Sequence, residues 1–340
     1  MGRLLAPPWL AGALGALALA LPSSAGAAAF LPPAGKAYWG GAGGYSGGDI
    51  ADFARLSGKR PAVYQFFVGW GASGWLSERL DQAAAQGARA MLSIEPEGLS
   101  PGQIARGRGD RFLAALARLL SERGEITYLR PLSEMNNVDN AYSPRAPSGR
   151  SRGPDYRPAA FRAAWRRIVL AVRGGETAEI DRRLRALRQP PLESPVESLP
   201  RPKVAFLWVP LSFGNPETPA NHPRHFWPGS RYVDWVGTTW YSRYRSSAAM
   251  ERFYRYPRWR RKPFVFAEWG VWGRDEPSFV TQFFRFMRRH RRVRMAVYYQ
   301  SALLRPEFRL STHPRTRAAL RREVRWSGLT GLAPELRTGR

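Results

Sequence analysis

The chain contains no cysteine. That excludes disulfides, thiolate metal sites and a lipidated cysteine behind a leader, and it leaves stability to the packing of the core. Histidine is almost as scarce. The four present (His222, His225, His290 and His313) do not pair with carboxylates at ligand spacing, and His222-Pro-Arg-His225 reads as a loop. No metal and no organic cofactor are therefore expected. Acidic residues are few, 26 against 53 basic ones, giving a net charge of +27. A charge of that size can serve nucleic acid, an anionic membrane or an acidic polymer. Here the basic residues are mostly arginines, such as Arg162, Arg166, Arg182, Arg285 and Arg289, scattered at the spacing of solvated helix faces. No nucleic-acid motif accompanies them, so no nucleic-acid partner is expected. The charge is read as surface composition, suited to electrostatic association with an anionic cell envelope. The apolar run Leu10 to Leu21 falls short of the roughly 20 residues that span a bilayer. With Arg3 before it and Ala25-Gly-Ala-Ala-Ala29 after it, residues 1–29 read as a secretion signal with a small-residue cleavage site. The expectation is a secreted protein whose residues 30–340 form one domain, acting as a monomer.

Against these absences stand 13 Trp, 13 Tyr and 17 Phe, with 44% of the 340 residues hydrophobic. That is ample for one large core, and about 250 residues suffice for a single β/α barrel. Short apolar runs alternate with helical patterns along the chain. The strands read at Lys36–Gly40, Pro61–Val68, Ala88–Ile94, Tyr128–Leu132, Val204–Val209, Tyr232–Gly237, Phe264–Ala267 and Arg294–Gln300. Helices read at Asp49–Leu56, Leu76–Gln86, Asp110–Arg123, Phe161–Val172, Ala248–Tyr256, Pro277–Arg289 and Thr316–Val324. The glycine-rich run Gly40 to Gly48 lacks the lysine and helix-opening fingerprint of a phosphate loop, and reads as an open connection over a cleft. Two long loops, Asn137–Pro158 and Pro210–Ser230, are rich in Pro, Gly, Ser and Asn, and residues 173–202 look like a short insertion. Eight strands alternating with helices predict an α/β fold, a single (β/α)8 TIM barrel with long loops on its top face.

Most polar residues that break an apolar run stand at a strand's C-terminal end. Tyr128-Leu-Arg-Pro-Leu-Ser-Glu-Met-Asn-Asn137 ends on Arg130, Glu134, Asn136 and Asn137, and Lys262-Pro-Phe-Val-Phe-Ala-Glu-Trp-Gly270 delivers Glu268. Two carboxylates at the ends of strands four and seven suit cleavage of a glycosidic bond, one as acid/base and one as nucleophile. The acid needs a raised pKa and the nucleophile needs donors that keep it ionised. Arg130 and Tyr241 are the donors expected beside Glu268. Sugar rings present C–H faces that stack on indoles and phenols. The aromatics near strand ends are Trp39, Trp70, Trp208, Trp240, Trp269, Trp272, Tyr298 and Tyr299, and Trp208, Tyr241, Trp269 and Tyr299 are taken as substrate contacts. Asp234, inside a strand, is read as structural.

These stretches resemble glycoside hydrolase family 26, the β-mannanase-type family of the large retaining barrel clan. Its Arg-Pro-Leu-His-Glu-Met-Asn stretch is matched by Arg130-Pro-Leu-Ser-Glu-Met-Asn136, and its nucleophile stretch by Lys262 to Gly270. Phe161–Ile168, Phe206–Trp208 and Trp227–Gly237 are similar to further family segments in the same order. The resemblance implies Glu134 as acid/base, Glu268 as nucleophile, and Arg130, Ser133 and Asn136 as substrate-binding neighbours. It implies a retaining hydrolase of a β-linked polysaccharide, β-1,4-mannan first, with the carboxyl groups about 5–5.5 Å apart. Ser133 departs from the family's histidine, and Asn137-Val-Asp139 replaces a Gly-x-Trp segment that builds the sugar platform. Another β-glycan, or a barrel that binds glycan without turnover, therefore stays open as an alternative.

Overall fold

A computed structural model describes residues 30–43, 50–71, 73–193, 196–301 and 305–337. The leader expected over 1–29 and most of the glycine-rich run lie outside the described residues. Among the described residues, no helix is long and apolar enough to cross a membrane.

Eight parallel strands close on themselves. They are β1 (Ala37–Ala42), β2 (Val63–Gly69), β3 (Arg89–Glu95), β4 (Thr127–Pro131), β5 (Val204–Trp208), β6 (Trp235–Tyr241), β7 (Phe264–Gly270) and β8 (Val293–Tyr299). Each pairs with its sequence neighbour, and β8 returns to β1 through Tyr38↔Met295 to Ala42↔Tyr299. The helices α1 (Ile50–Ser57), α2 (Ser73–Ala85), α3 (Pro101–Ala105), α4 (Asp110–Arg123), α5 (Pro158–Arg173), α6 (Thr177–Ala186), α7 (Ser247–Tyr254), α8 (Pro277–Arg289) and α9 (Pro314–Glu323) connect the strands. This is a single (β/α)8 barrel.

Strand side chains alternate between two faces, and the buried residues sort accordingly. One cluster contains Tyr38, Val63, Met91, Tyr128, Leu207, Trp235, Val265 and Met295, the filling of the barrel. The other contains their strand neighbours Trp39, Tyr64, Leu92, Leu129, Trp208, Val236, Phe266 and Trp269, which meet the helices. Helix α8 shows why the outer shell is tight: Phe279, Val280, Phe283, Phe284, Phe286 and Met287 are all buried on one stripe, and Pro277 opens the helix where a missing N–H costs nothing. Helix α4 ends at Gly124, whose φ of 68° is the left-handed cap glycine adopts freely.

The floor of the barrel is polar. The Arg89 guanidinium donates to the Tyr128 hydroxyl at 2.6 Å, to the Phe30 carbonyl at 2.8 Å and to both Glu335 oxygens at 2.7 Å. These bonds tie the first and last described segments to β3 and β4. Residues 173–202 fold as a compact insertion: α6 plus a two-residue antiparallel pair, Gly175–Glu176 with Ser198–Leu199. Gly174 is required at its root, because a Cβ there would lie 1.9 Å from the Pro200 carbonyl oxygen.

Two expectations shift. Strand β6 begins at Trp235 rather than Tyr232, because Ser230–Tyr232 forms a 3-10 turn and Asp234 is engaged elsewhere. Its carboxylate accepts from the Phe206 N–H at 2.8 Å and from Arg173 at 2.8 and 2.9 Å. Helix α3 had no periodic signal in its five residues; Ser100 and Gln103 form a capping box around it.

One ion pair is wholly buried. Arg167 on α5 meets Asp110 at the start of α4, with nitrogen–oxygen distances of 2.8 and 2.5 Å and side chains 0% and 2% exposed. Removing one partner strands the other charge. Asp110→Ala is expected to lower the unfolding free energy by about 3–5 kcal/mol, measured by urea denaturation. A loss below about 1 kcal/mol, the scale of an exposed pair, would contradict this account of the α4–α5 contact.

Candidate active site

Glu134 follows β4 on a turn of unusual backbone. Leu132 and Glu134 have φ of 50° and 49°, a region that side-chain-bearing residues rarely occupy. The surroundings hold the turn there. Leu132 N–H donates to the Ile94 carbonyl at 3.2 Å, and Glu134 N–H to the Val209 carbonyl at 2.7 Å. The Ser133 carbonyl accepts from the Tyr142 hydroxyl at 2.6 Å and from the Asn140 amide at 3.1 Å. The amide of Asn140 also donates to the Glu134 carbonyl, at 2.9 Å.

The loop after β5 braces the same turn. Asn136 exchanges a pair of hydrogen bonds with Leu211, donating to its carbonyl at 3.0 Å and accepting from its N–H at 2.9 Å. One residue on, Asn137 donates to Glu134 Oε2 at 3.2 Å while its own oxygen accepts from the Asn215 amide at 3.0 Å.

Glu268, at the end of β7, is the more enclosed carboxylate, 7% exposed. Oε1 accepts from Gln65 on β2 at 3.1 Å and from the Arg130 guanidinium, and Oε2 accepts from the Tyr241 hydroxyl at 2.6 Å. The other guanidinium nitrogen of Arg130 stands 3.9 Å from Glu134 Oε1, so one buried cation faces both carboxylates. Burial disfavours that cation, but Glu268 and Glu134 hold it protonated. Burial, and then the charge of Glu268, push the Glu134 carboxyl above its ordinary range, against the lowering effects of Arg130, Thr239 and Asn137. Burial and Glu268 also push the Tyr241 hydroxyl well up, so it stays a donor. The arrangement can present one neutral carboxylic acid and one multiply hydrogen-bonded carboxylate at the same pH.

Above them lies a cleft of about 260 Å³ whose walls include Glu134, Asn137, Thr239, Tyr241, Tyr244 and Trp272. Tyr299 is half-buried beside Tyr241, with ring centroids 6.1 Å apart. Among the described residues, no group of His, Asp and Glu is arranged to hold a metal ion.

The expected site residues separate into three groups. Glu134, Glu268, Arg130, Tyr241 and Tyr299 come together. Ser133 and Asn136 are adjacent but buried; the amide of Asn136 is spent on the loop after β5, so it braces the turn rather than reaching the cleft. Arg130, likewise buried, reaches Glu268 and not the open cleft. Trp208 and Trp269 are corrected outright. Both are 0% exposed on the helix-facing side, Trp269 stacked on Phe283 at 3.5 Å and Trp208 against Trp227 and Trp259 at 5.0 and 5.1 Å. A bulge in β7 is the reason: its pairing with β6 and with β8 shifts register past Phe266, so Glu268 points into the barrel and Trp269 out. Of the eight strand-end aromatics, Trp272 and Tyr299 are the half-buried ones, and the other six are buried. Three contributors were missed. Gln65 could have been found as the one amide inside an apolar strand; Thr239 and Tyr244 carry no signal in the sequence.

Fold and site together define a (β/α)8 barrel with paired carboxylates at the ends of its fourth and seventh strands. Solved structures with this fold include a Bacillus subtilis mannanase (16% identity, TM-score 0.55, covering 89% of each chain). A family 26 β-mannanase from Bacteroides ovatus superposes with a TM-score of 0.58 at 14% identity, over 87% of this chain and 90% of that one. A modular endo-β-1,4-mannanase from Cellulomonas fimi gives 0.57 at 14% identity, over 88% and 74%. At these identities the likeness is one of fold. No family model matches the chain, and no curated protein sequence matches it.

The Asn137 amide stabilises the anionic form of Glu134, so Asn137→Ala is expected to raise the midpoint of Glu134 titration further. Carbon-13 NMR of the Glu134 carboxyl, assigned by its loss in Glu134→Gln, reads this directly. A lowered midpoint would show that the amide favours the protonated form instead.

Proposed function

We propose that the protein is a secreted retaining glycoside hydrolase of the family 26 type, cleaving β-linked polysaccharide, with β-1,4-mannan the first substrate to try. The observation that carries the reading is the division of labour between two carboxylates facing one buried guanidinium. Glu134 has the raised proton affinity of a general acid. Glu268 has three donors that orient it and stabilise its charge, as a nucleophile requires. The sequence match around both residues and the shared fold of solved mannanases support the same reading.

In this mechanism Glu268 attacks the anomeric carbon while Glu134 gives its proton to the departing glycosidic oxygen. The product is a covalent glycosyl ester on Glu268. Glu134, now a carboxylate, takes a proton from water, whose oxygen attacks the anomeric carbon and restores the original configuration. Arg130 balances the charge that moves between the two carboxylates. The Tyr241 hydroxyl and the Gln65 amide hold Glu268 in place, and Tyr244 and Trp272 offer rings at the wall of the cleft. The mannan assignment follows the neighbours' names, and a panel of β-glycans decides it.

Reducing-sugar release should appear on one β-glycan of such a panel and fall at least about 10²–10⁴-fold in Glu134→Ala, with a comparable or larger loss in Glu268→Ala. Azide separates the roles on an activated aryl β-glycoside: Glu134→Ala should yield the β-glycosyl azide and Glu268→Ala the α-glycosyl azide. Exchange of these anomers would reverse the assignment. Full activity in either variant, or no release from any glycan by the native chain, would remove the hydrolase reading.

A further inference from the structure

The catalytic cleft does not end at its own walls. Past Ser212, Phe213 and Glu217 on the loop after β5, which line both spaces, it opens into a second hollow of about 540 Å³, roughly twice its size. This hollow lies between that loop and α7. Its floor is aromatic: Tyr256 is half-buried and stacks on the buried Trp259 at 4.3 Å, with the His222 ring 5.6 Å from Tyr256. One cation on its wall is uncommitted. Arg252 is exposed on α7 and has no ion pair among the described residues, whereas the neighbouring Arg255 is held by Glu251 at 2.9 Å. Arg252 also lines a third space of about 370 Å³ that runs back to Tyr244.

We propose that this second hollow is a distal sugar subsite of the same substrate, and that Arg252 makes it selective for a sugar carrying an anionic group. The inference rests on the glycosidase reading and adds the substrate class, a polymer with acidic units. Continuity with the cleft names the occupant: a chain bound across Glu134 and Glu268 extends past Phe213 into the hollow. The aromatic floor suits sugar C–H faces. A guanidinium with no counter-ion, beside an otherwise largely apolar wall, suits a carboxylate or phosphate better than a hydroxyl. Glu217 is the opposing charge, exposed at the boundary between the hollows, and it moderates the preference.

The test uses the full chain carrying Glu268→Gln, so that binding is read without turnover. Calorimetry compares mannohexaose, its 6-phosphate and hexamannuronate. Both anionic probes, or the one whose group the subsite takes, are expected to bind about tenfold tighter than the neutral one, the scale of one charge-assisted hydrogen bond. Adding Arg252→Gln should bring that ratio to about one. Adding Glu217→Gln should raise it, and the remote exposed Arg182→Gln should leave it where it was. A ratio near one in the starting chain, or a ratio that survives Arg252→Gln, overturns the subsite, the latter assigning the preference to the overall positive charge. Failure of all three probes to bind overturns the subsite together with the choice of mannan as substrate, whereas the glycosidase reading falls only with the glycan panel.

Discussion

The site depends on one buried cation. A guanidinium with no exposure is tolerated only with compensating charge and hydrogen bonds, and Arg130 finds both in Glu268. Two ionised carboxylates against one arginine would leave the pocket with a net negative charge in a low-dielectric space. Burial, and then the charge of Glu268, raise the proton affinity of Glu134, and its neutral form relieves that excess while Glu268 keeps three donors. The difference between the two carboxyl groups thus follows from burial and from the charges around Arg130. Gln65, Tyr241, Thr239 and Asn137 then divide their donors between the two carboxylates.

Aiming Glu134 needs a backbone that the sequence would not adopt alone. The two residues that flank Ser133, Leu132 and Glu134, sit at positive φ, each costing of order 1–3 kcal/mol. Bonds from β3, from the loop after β5, and from Asn140 and Tyr142 hold them. The loop after β5 therefore acts twice. It clamps the turn through Asn136 and Asn215, and it forms the boundary between the catalytic cleft and the hollow beyond. Binding in that hollow would bear on the same segment that positions the acid.

The net charge of +27 does not describe the cleft. With 53 basic residues against 26 acidic ones, only some arginines of the outer surface find an acid, as at Asp155, Glu179, Glu251 and Glu323. The walls of the cleft itself carry Glu134, Asp139 and Glu217 and no arginine. Charge matters where a cation is left unmatched beside a cavity, as with Arg252, and not as a total.

Much was legible in the chain. Short continuous apolar runs between amphipathic helices determined the barrel, because parallel strands buried on both faces need that pattern. The Arg130–Asn136 and Lys262–Gly270 stretches located both carboxylates, since strand ends are where a barrel presents its site. Simple alternation along β7 would have misled: counted from the inward Val265 it turns Glu268 out and Trp269 in, and the register shift past Phe266 reverses both. What the sequence could not carry were contacts between segments far apart in it. Gln65 reaches Glu268 across 203 residues, and Asn215 reaches Asn137 across 78. Such pairs carry no local signal, because closure of the sheet and the docking of one loop on another bring them together. The chain alone determined which strand ends bear the two carboxylates. Only the tertiary structure decided which groups surround each carboxylate, which rings reach the cleft, and where the cleft continues, because burial, charge neighbours and cavities exist only after the barrel has closed.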